Sequence, residues 1–317
     1  MMFGTREQFD YVECGNCGTL QIAEIPDLTK YYPKDYYSFE TRSPNGPRER
    51  LSRRLLSAHL KIRNNPMNRR LSGIASAVKK RLARMDFDSR VLDLGSGALS
   101  LIRSGVGTGS RILDVGCGTG SLLATLETLG FSSLSGIDAY IECDRRLRGG
   151  SRISKANLDQ LDEKFDLIMF HHSFEHMPDP LGVLRSANDR LNTNGICLVR
   201  IPLINQAWEN YGVNWVGLDP PRHLYLFRES SFRMIAEEAG FEVENVIYDS
   251  TSFQFSGSER YSQDIPLFGS VLDKDLFTAK QIKEWRRAAA ELNAQHKGDQ
   301  AAFYLRRKQS VTGKCAT

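Results

Sequence analysis

The sequence predicts an open α/β fold built on a mostly parallel sheet, and three observations carry that prediction. First, a short apolar run holding one acid, Ile112-Leu113-Asp114-Val115, breaks into glycines at 116, 118 and 120, and an amphipathic stretch from Ser121 to Leu129 follows at once. This is the pattern of a buried strand, a tight turn and a helix N-terminus. Second, apolar strands and amphipathic helices alternate through residues 109–250. Third, 317 residues with 41% apolar and 25% charged content suit one large core with appendages.

The elements follow in order. Arg90 to Gly97 imitates the first strand and turn but has Leu99 in place of the third glycine, and Gly105 to Gly109 has the glycines without strand or acid. Both are read as an approach segment. Leu134-Ser-Gly-Ile-Asp138 is the second strand, ending in an acid 18 residues after Gly120. Lys164 to Phe170 is the next buried strand, running into His171-His-Ser-Phe-Glu-His-Met-Pro-Asp-Pro180. Leu191 to Pro202 covers a helix end, a turn and a strand, and Leu203 to Phe227 is an insert rich in Trp, Tyr, Asn and Pro. A helix over Ser230–Ala239 is closed by Gly240. Phe241 to Tyr248 alternates as a strand, and residues 251–270 read as loop. Thr278 to Gln295 is a charged amphipathic helix, and Gly298 to Arg307 is an antiparallel last strand.

Ahead of this region, Arg48 to Arg84 holds twelve Lys or Arg against Glu49 alone, a net +11, so the remainder of the +4 chain carries −7. Residues 48–86 read as two helices broken at Asn64-Asn65-Pro66. The second has an apolar stripe at Met67, Leu71, Ile74, Val78, Leu82 and Met85. A solvated basic face over a packed stripe is the main reading, and weak contact of 48–84 with an anionic membrane surface is the sharper one. No apolar run approaches the ~18–20 residues of a membrane span. The scattered cysteines and the lack of an apolar N-terminal core point to the cytoplasm.

Acid-x-Gly-x-Gly-x-Gly after a first strand, with a second strand ending in an acid, resembles motif I and its sequel in the class I S-adenosylmethionine-dependent methyltransferases. The dinucleotide fingerprint is excluded because Ser121 occupies its third glycine position. The likeness spans roughly 109–248 and the last strand. It implies a Rossmann-like seven-stranded, mostly parallel sheet with an antiparallel last strand, plus a small N-terminal appendage and helices. The corresponding division is 1–40, a basic helical segment 41–108, a catalytic domain 109–308 with inserts at 203–227 and 251–297, and a tail 309–317.

The implied cofactor is S-adenosyl-L-methionine. Its carriers are Asp114, Gly116, Cys117, Gly118 and Gly120 at the turn, Asp138 and Ala139 at the ribose, Asn157 and Leu158 at the adenine, and His171 at the end of strand four. A carboxylate suits the ribose diol because it accepts two hydroxyl donors.

A nearer resemblance is to sugar C-methyltransferases that begin with a four-cysteine zinc knuckle and a tyrosine-rich segment. Here Cys14-Gly-Asn-Cys17-Gly18 is half of that knuckle, and Tyr31 to Phe39 is similar to the tyrosine segment. A closed zinc site needs four ligands. Pro220-Pro-Arg-His-Leu-Tyr-Leu-Phe227 resembles the segment carrying a Glu-His pair in those enzymes, and it makes His223 the candidate base, with Arg222 standing where glutamate would. His172, Glu175 and His176 are similar to an acidic-and-His cluster of ubiquinone-pathway O-methyltransferases. They are read as loop-capping residues, and no metal is expected.

The predicted activity is methyl transfer to a small-molecule acceptor, foremost a sugar or cell-surface glycan-pathway intermediate, with Trp208, Tyr211 and Trp215 as stacking faces. The alternatives are an O-methyltransferase on an aromatic or quinone precursor, or a nucleic-acid-associated or non-catalytic binding protein. Nucleic acid is disfavoured because His-His-Ser-Phe replaces the Asn/Asp-Pro-Pro-aromatic signature after strand four.

Overall fold

The computed structural model describes residues 4–32, 95–268 and 271–308. The two predicted helices of 48–86 and the tail lie outside those residues.

The first parallel strand, β3 (Ile112–Val115), is buried at all four positions. It lies between β4 (Leu134–Ile137) and β7 (Phe165–His171), both parallel to it. Beyond β4 comes β6 (Arg152–Ser154), also parallel, and β7 pairs in parallel with β8 (Leu191–Pro202). The antiparallel strand β11 (Gln300–Arg307) inserts between β8 and β10 (Phe241–Tyr248). The full order is β10-β11-β8-β7-β3-β4-β6-β5, where β5 (Arg145–Arg146) is a two-residue antiparallel edge. The seven expected strands are therefore present, with the last one antiparallel, and β5 is an addition too short to leave a period in the sequence.

Parallel strands are covered on both faces, so they read as unbroken apolar runs. Along β7 the side chains divide by alternation. Ile168 and Phe170 join a cluster with Phe174, Phe232 and Phe303. Leu167 and Met169 join the opposite one, with Leu101, Leu123 and Leu126. The first cluster is closed by α3 (Pro180–Asp189) and α5 (Glu229–Glu238), the second by α1 (Gly95–Ser104) and α2 (Ser121–Thr128). Asp179 caps α3 by accepting from the Gly182 amide, and Pro180 stands at its first turn.

Two expectations change. Residues 251–270 are not loop throughout, because α6 (Phe253–Ser262) forms there. Its buried face is largely polar (Gln254, Ser256, Ser258 and Arg260, with Tyr261), so no apolar stripe marks it. Arg260 is held by Asp273 at 2.9 Å and by the carbonyls of Pro266 and Val271. In the insert, α4 (Gln206–Tyr211) leads to Trp215, which is fully buried and donates its indole N–H to Asp299 at 3.0 Å. Trp215 is thus a core anchor and offers no ring face to a sugar.

The N-terminal residues pack against the insert. Strands β1 (Tyr11–Glu13) and β2 (Leu20–Ile22) form a hairpin whose second strand pairs with β9 (Tyr225–Leu226) in a separate small sheet. The Tyr11 hydroxyl donates to the His223 carbonyl at 2.7 Å. Cys14 and Cys17 sit at the hairpin turn, where the Cys14 thiol pKa is lowered by the amide N–H groups of Cys17 and Asn16. No further ligand completes a metal-binding group with this pair among the described residues. Among those residues, no helix is long and apolar enough to cross a membrane.

Candidate active site

The predicted donor residues gather at the carboxyl edge of the sheet, where open α/β folds bind ligands. Among them is the turn from β3 to α2, in which Gly116, Gly118 and Gly120 take φ of +74°, +53° and +81°. Two of these glycines are also steric necessities. A Cβ on Gly116 would strike the Ser173 side chain, and one on Gly120 would strike Ile153. Gly120→Ala is expected to lower stability by about 1–2 kcal/mol from the left-handed backbone. Thermal melting checks this.

Asp138 follows β4 directly and is 9% exposed. Its Oδ2 accepts from the Gly118 amide at 2.9 Å and its Oδ1 from the Tyr140 amide at 2.8 Å. Each carboxylate oxygen therefore keeps a lone pair for a further donor. Asp114 is buried one strand away, and burial together with the Asp138 charge pushes its pKa up to about 8. Cys117 turns its sulfur toward Gly136, where a Cβ would meet it at 2.6 Å, and burial pushes its thiol pKa up. Cys117 reaches the expected donor position through the main chain of the turn, with its side chain packed against Gly136.

Ala139 follows Asp138, and the exposed Asn157 opens a short turn whose Leu158 is buried. The Asn157 amide donates to Gln160 Oε1 at 2.7 Å. His171 ends β7, and both of its ring nitrogens are buried without a hydrogen-bond partner among the described residues. Burial, then the Arg200 charge, hold the His171 pKa well below the usual value. A neutral imidazole with two unfilled positions at a ligand-binding edge suits a polar ligand.

The other wall is a cluster of titratable groups. After Ser173 the chain makes a single 3-10 turn, Phe174–His176. His172 and His176 turn to different partners. His172 takes φ +50°, bonds Arg200 through Nε2, and places Nδ1 3.3 Å from Glu175 Oε1. His176 turns toward His223, their ring centroids 4.9 Å apart. The two loops are joined by the Leu224 amide, which donates to the Glu175 carbonyl at 2.8 Å.

His223 is 8% exposed, and its Nδ1 lies 2.8 Å from the Gly217 carbonyl. A carbonyl only accepts, so Nδ1 carries the proton and Nε2 keeps its lone pair. Nε2 sits 3.7 Å from Asp219 Oδ2 and 3.8 Å from Glu175 Oε1. Arg222, which replaces the expected glutamate, does not leave the histidine without carboxylates: it pairs with Asp219. Burial opposes ionisation of Glu175, yet His172, His176 and His223 together hold its pKa down to about 2. Burial likewise opposes ionisation of Asp219, but Arg222 and His223 lower its pKa overall.

Sequence reading missed Asp219 and the central place of Glu175. Asp219 is four residues before His223 in a Pro-rich loop without helical period, so spacing alone could not pair them. Tyr32 stacks on Tyr140, ring centroids 4.8 Å apart at 14°, and its hydroxyl lies 3.2 Å from His176 Nδ1. It bridges the Asp138 wall and the histidine wall.

A carboxylate with acceptor positions left over, a bare glycine turn and unfilled polar positions at the strand ends fit a nucleoside with a cationic tail. A protein-family model described as "Methyltransferase domain" matches residues 67–246, more than half of the chain. No curated protein matches. Among solved structures, a cyclopropane synthase of Mycobacterium tuberculosis is 16% identical, covering 70% of this chain and 86% of that one, at a TM-score of 0.46. A magnesium protoporphyrin IX methyltransferase of Synechocystis PCC 6803, solved with bound SAH, is 19% identical over 50% of this chain and 76% of that one, at 0.40. A putative methyltransferase in a Haloferax volcanii complex with the Trm112 activator is 15% identical over 68% and 89%, at 0.46.

Proposed function

The chain belongs to the methyltransferase-domain family, and from that premise we propose that its acceptor is a small hydroxylated molecule, foremost a sugar or glycan-pathway intermediate, engaged at His223. S-adenosylmethionine is the donor, and the chemistry it supplies is an activated methyl group on a sulfonium. The chain's own tasks are to hold the donor, align the acceptor, exclude water and manage the acceptor's proton.

Asp138 would take the ribose hydroxyls, Leu158 and Asn157 the adenine, and Asp114 and His171 the amino-acid tail. Asp114 gives this assignment a pH signature. With a pKa raised to about 8, the free protein carries it largely protonated at pH 7. A cationic tail favours the carboxylate, so binding releases a proton. Donor affinity is expected to rise with pH up to about 8, by at most about tenfold per unit, and then level off. Calorimetry in buffers of different ionisation enthalpy checks the proton release, and Asp114→Asn should remove it.

The observation that carries the acceptor reading is the His223 Nε2 lone pair with two carboxylates beside it. A basic nitrogen so placed gains a proton readily from a hydroxyl or an acidic carbon, because the carboxylates stabilise the resulting imidazolium. The wall of Glu175, His176, Asp219 and Tyr32 is polar, which suits a polyol better than an apolar ring. The test is labelled donor incubated with a panel of nucleotide-linked sugars, catechols and quinone precursors. Labelled sugar supports the reading, and label on the aromatic compounds alone overturns it.

A further inference from the structure

We propose that Glu175, His176 and His223 hold a divalent cation on the acceptor side of the crevice. The proposal rests on the acceptor reading above and says how the cluster engages an acceptor oxygen.

One ligand atom from each residue lies within 4.8 Å of the others. Both imidazoles are oriented through Nδ1: His176 to the Arg222 carbonyl at 2.8 Å, and His223 to the Gly217 carbonyl at 2.8 Å. In the neutral ring each therefore offers Nε2 as a lone pair. Metal-ligating histidines are held in this way, with the second nitrogen donating to a carbonyl or carboxylate.

Glu175 supplies the second argument. It is 1% exposed, and neither carboxylate oxygen has a hydrogen-bond partner among the described residues. His172 Nδ1 lies 3.3 Å from its Oε1 on one side, and His223 Nε2 lies 3.8 Å away on the other. A buried carboxylate with unfilled acceptor positions beside an imidazole nitrogen offers a cation two ligand atoms already taken out of water.

The third argument is the donor set. Two imidazoles and one carboxylate suit first-row divalent ions such as zinc, iron(II), manganese or cobalt, and leave positions open for acceptor oxygens. An ion there would bind an acceptor hydroxyl, or two vicinal ones, and lower the hydroxyl pKa. With the ion bound, His223 serves as a ligand in place of a base, and the fall in turnover expected for His223→Ala then reflects loss of the ion that lowers the acceptor hydroxyl pKa. His172, grouped with these residues in the sequence, is excluded because Arg200 occupies its Nε2.

The test is a titration of the chelator-treated, dialysed full chain with cobalt(II), followed by visible ligand-field absorption. Saturable uptake of one ion without the intense near-ultraviolet band of a thiolate ligand is expected. Cys14→Ser with Cys17→Ser should leave it unchanged. Glu175→Gln and His176→Ala should each weaken it by more than about tenfold, while both variants still bind donor by calorimetry, which shows that they fold. Uptake only through the thiolates, uptake unaffected by both variants, or no saturable uptake would overturn the proposal. So would full turnover of the labelled acceptor in excess chelator, which would leave the methyl-transfer reading standing. Intact cobalt binding with no transfer to any sugar would do the reverse.

Discussion

Asp138→Ala is expected to abolish measurable donor binding. The carboxylate sits at the end of the second parallel strand with both oxygens anchored, Oδ2 by the Gly118 amide and Oδ1 by the Tyr140 amide. Those bonds fix its orientation before any ligand arrives, so its remaining lone pairs are presented at little entropic cost. Two hydroxyl donors on a charged acceptor are worth about 1.5–3 kcal/mol each. Their joint loss corresponds to a fall in affinity on the order of a hundredfold or more. The same substitution also removes the anchor of the Gly118 amide, loosening the turn itself. Asp138→Asn keeps the shape but turns one acceptor into a donor, and it should fall between wild type and alanine. Calorimetric titration with S-adenosylhomocysteine measures all three, and wild-type affinity in the alanine variant would remove Asp138 from the donor site.

His223→Ala is expected to leave donor affinity nearly unchanged and to lower turnover by about 10²- to 10⁴-fold, the usual worth of a positioned acid–base group. The separation of effects follows from the architecture. His223 belongs to the loop before β9, while Asp114 lies in β3, the glycine turn follows it and Asp138 follows β4. The alanine variant loses the Gly217 contact and the Nε2 lone pair, but it keeps the Tyr11 bond, which goes to the main-chain carbonyl. Single-turnover kinetics with labelled donor should show intact binding and a slow transfer step. Unchanged turnover would take His223 out of the mechanism.

The donor half of this site was legible in the sequence because local backbone physics dictates it. A turn with three left-handed residues in a row of alternate positions demands glycine at 116, 118 and 120, and a parallel strand buried on both faces demands an apolar run. Asp138 was legible because its place is set by where the second strand ends. The acceptor half was legible only at His223. Its partners Glu175 and Asp219 come from different loops, and their meeting depends on a single 3-10 turn at 174–176 and a main-chain bond from Leu224 to Glu175. Neither leaves a period in the sequence.

Trp215 misled for a related reason. An aromatic residue in a polar insert resembles a binding platform, yet an indole with a buried carboxylate partner is as stable in a core as on a surface. The helix at 253–262 was invisible because its buried positions are mostly serines, a glutamine and an arginine, held by hydrogen bonds more than by apolar contact.

The most direct measurement is a crystal structure of the chain soaked with S-adenosylhomocysteine. It should show both ribose hydroxyls on the Asp138 carboxylate, the amino-acid tail against the 116–120 turn, and the sulfur aimed toward His223. Nucleoside density elsewhere, or Asp138 still bonded only to Gly118 and Tyr140 while side chains close the crevice, would contradict the account.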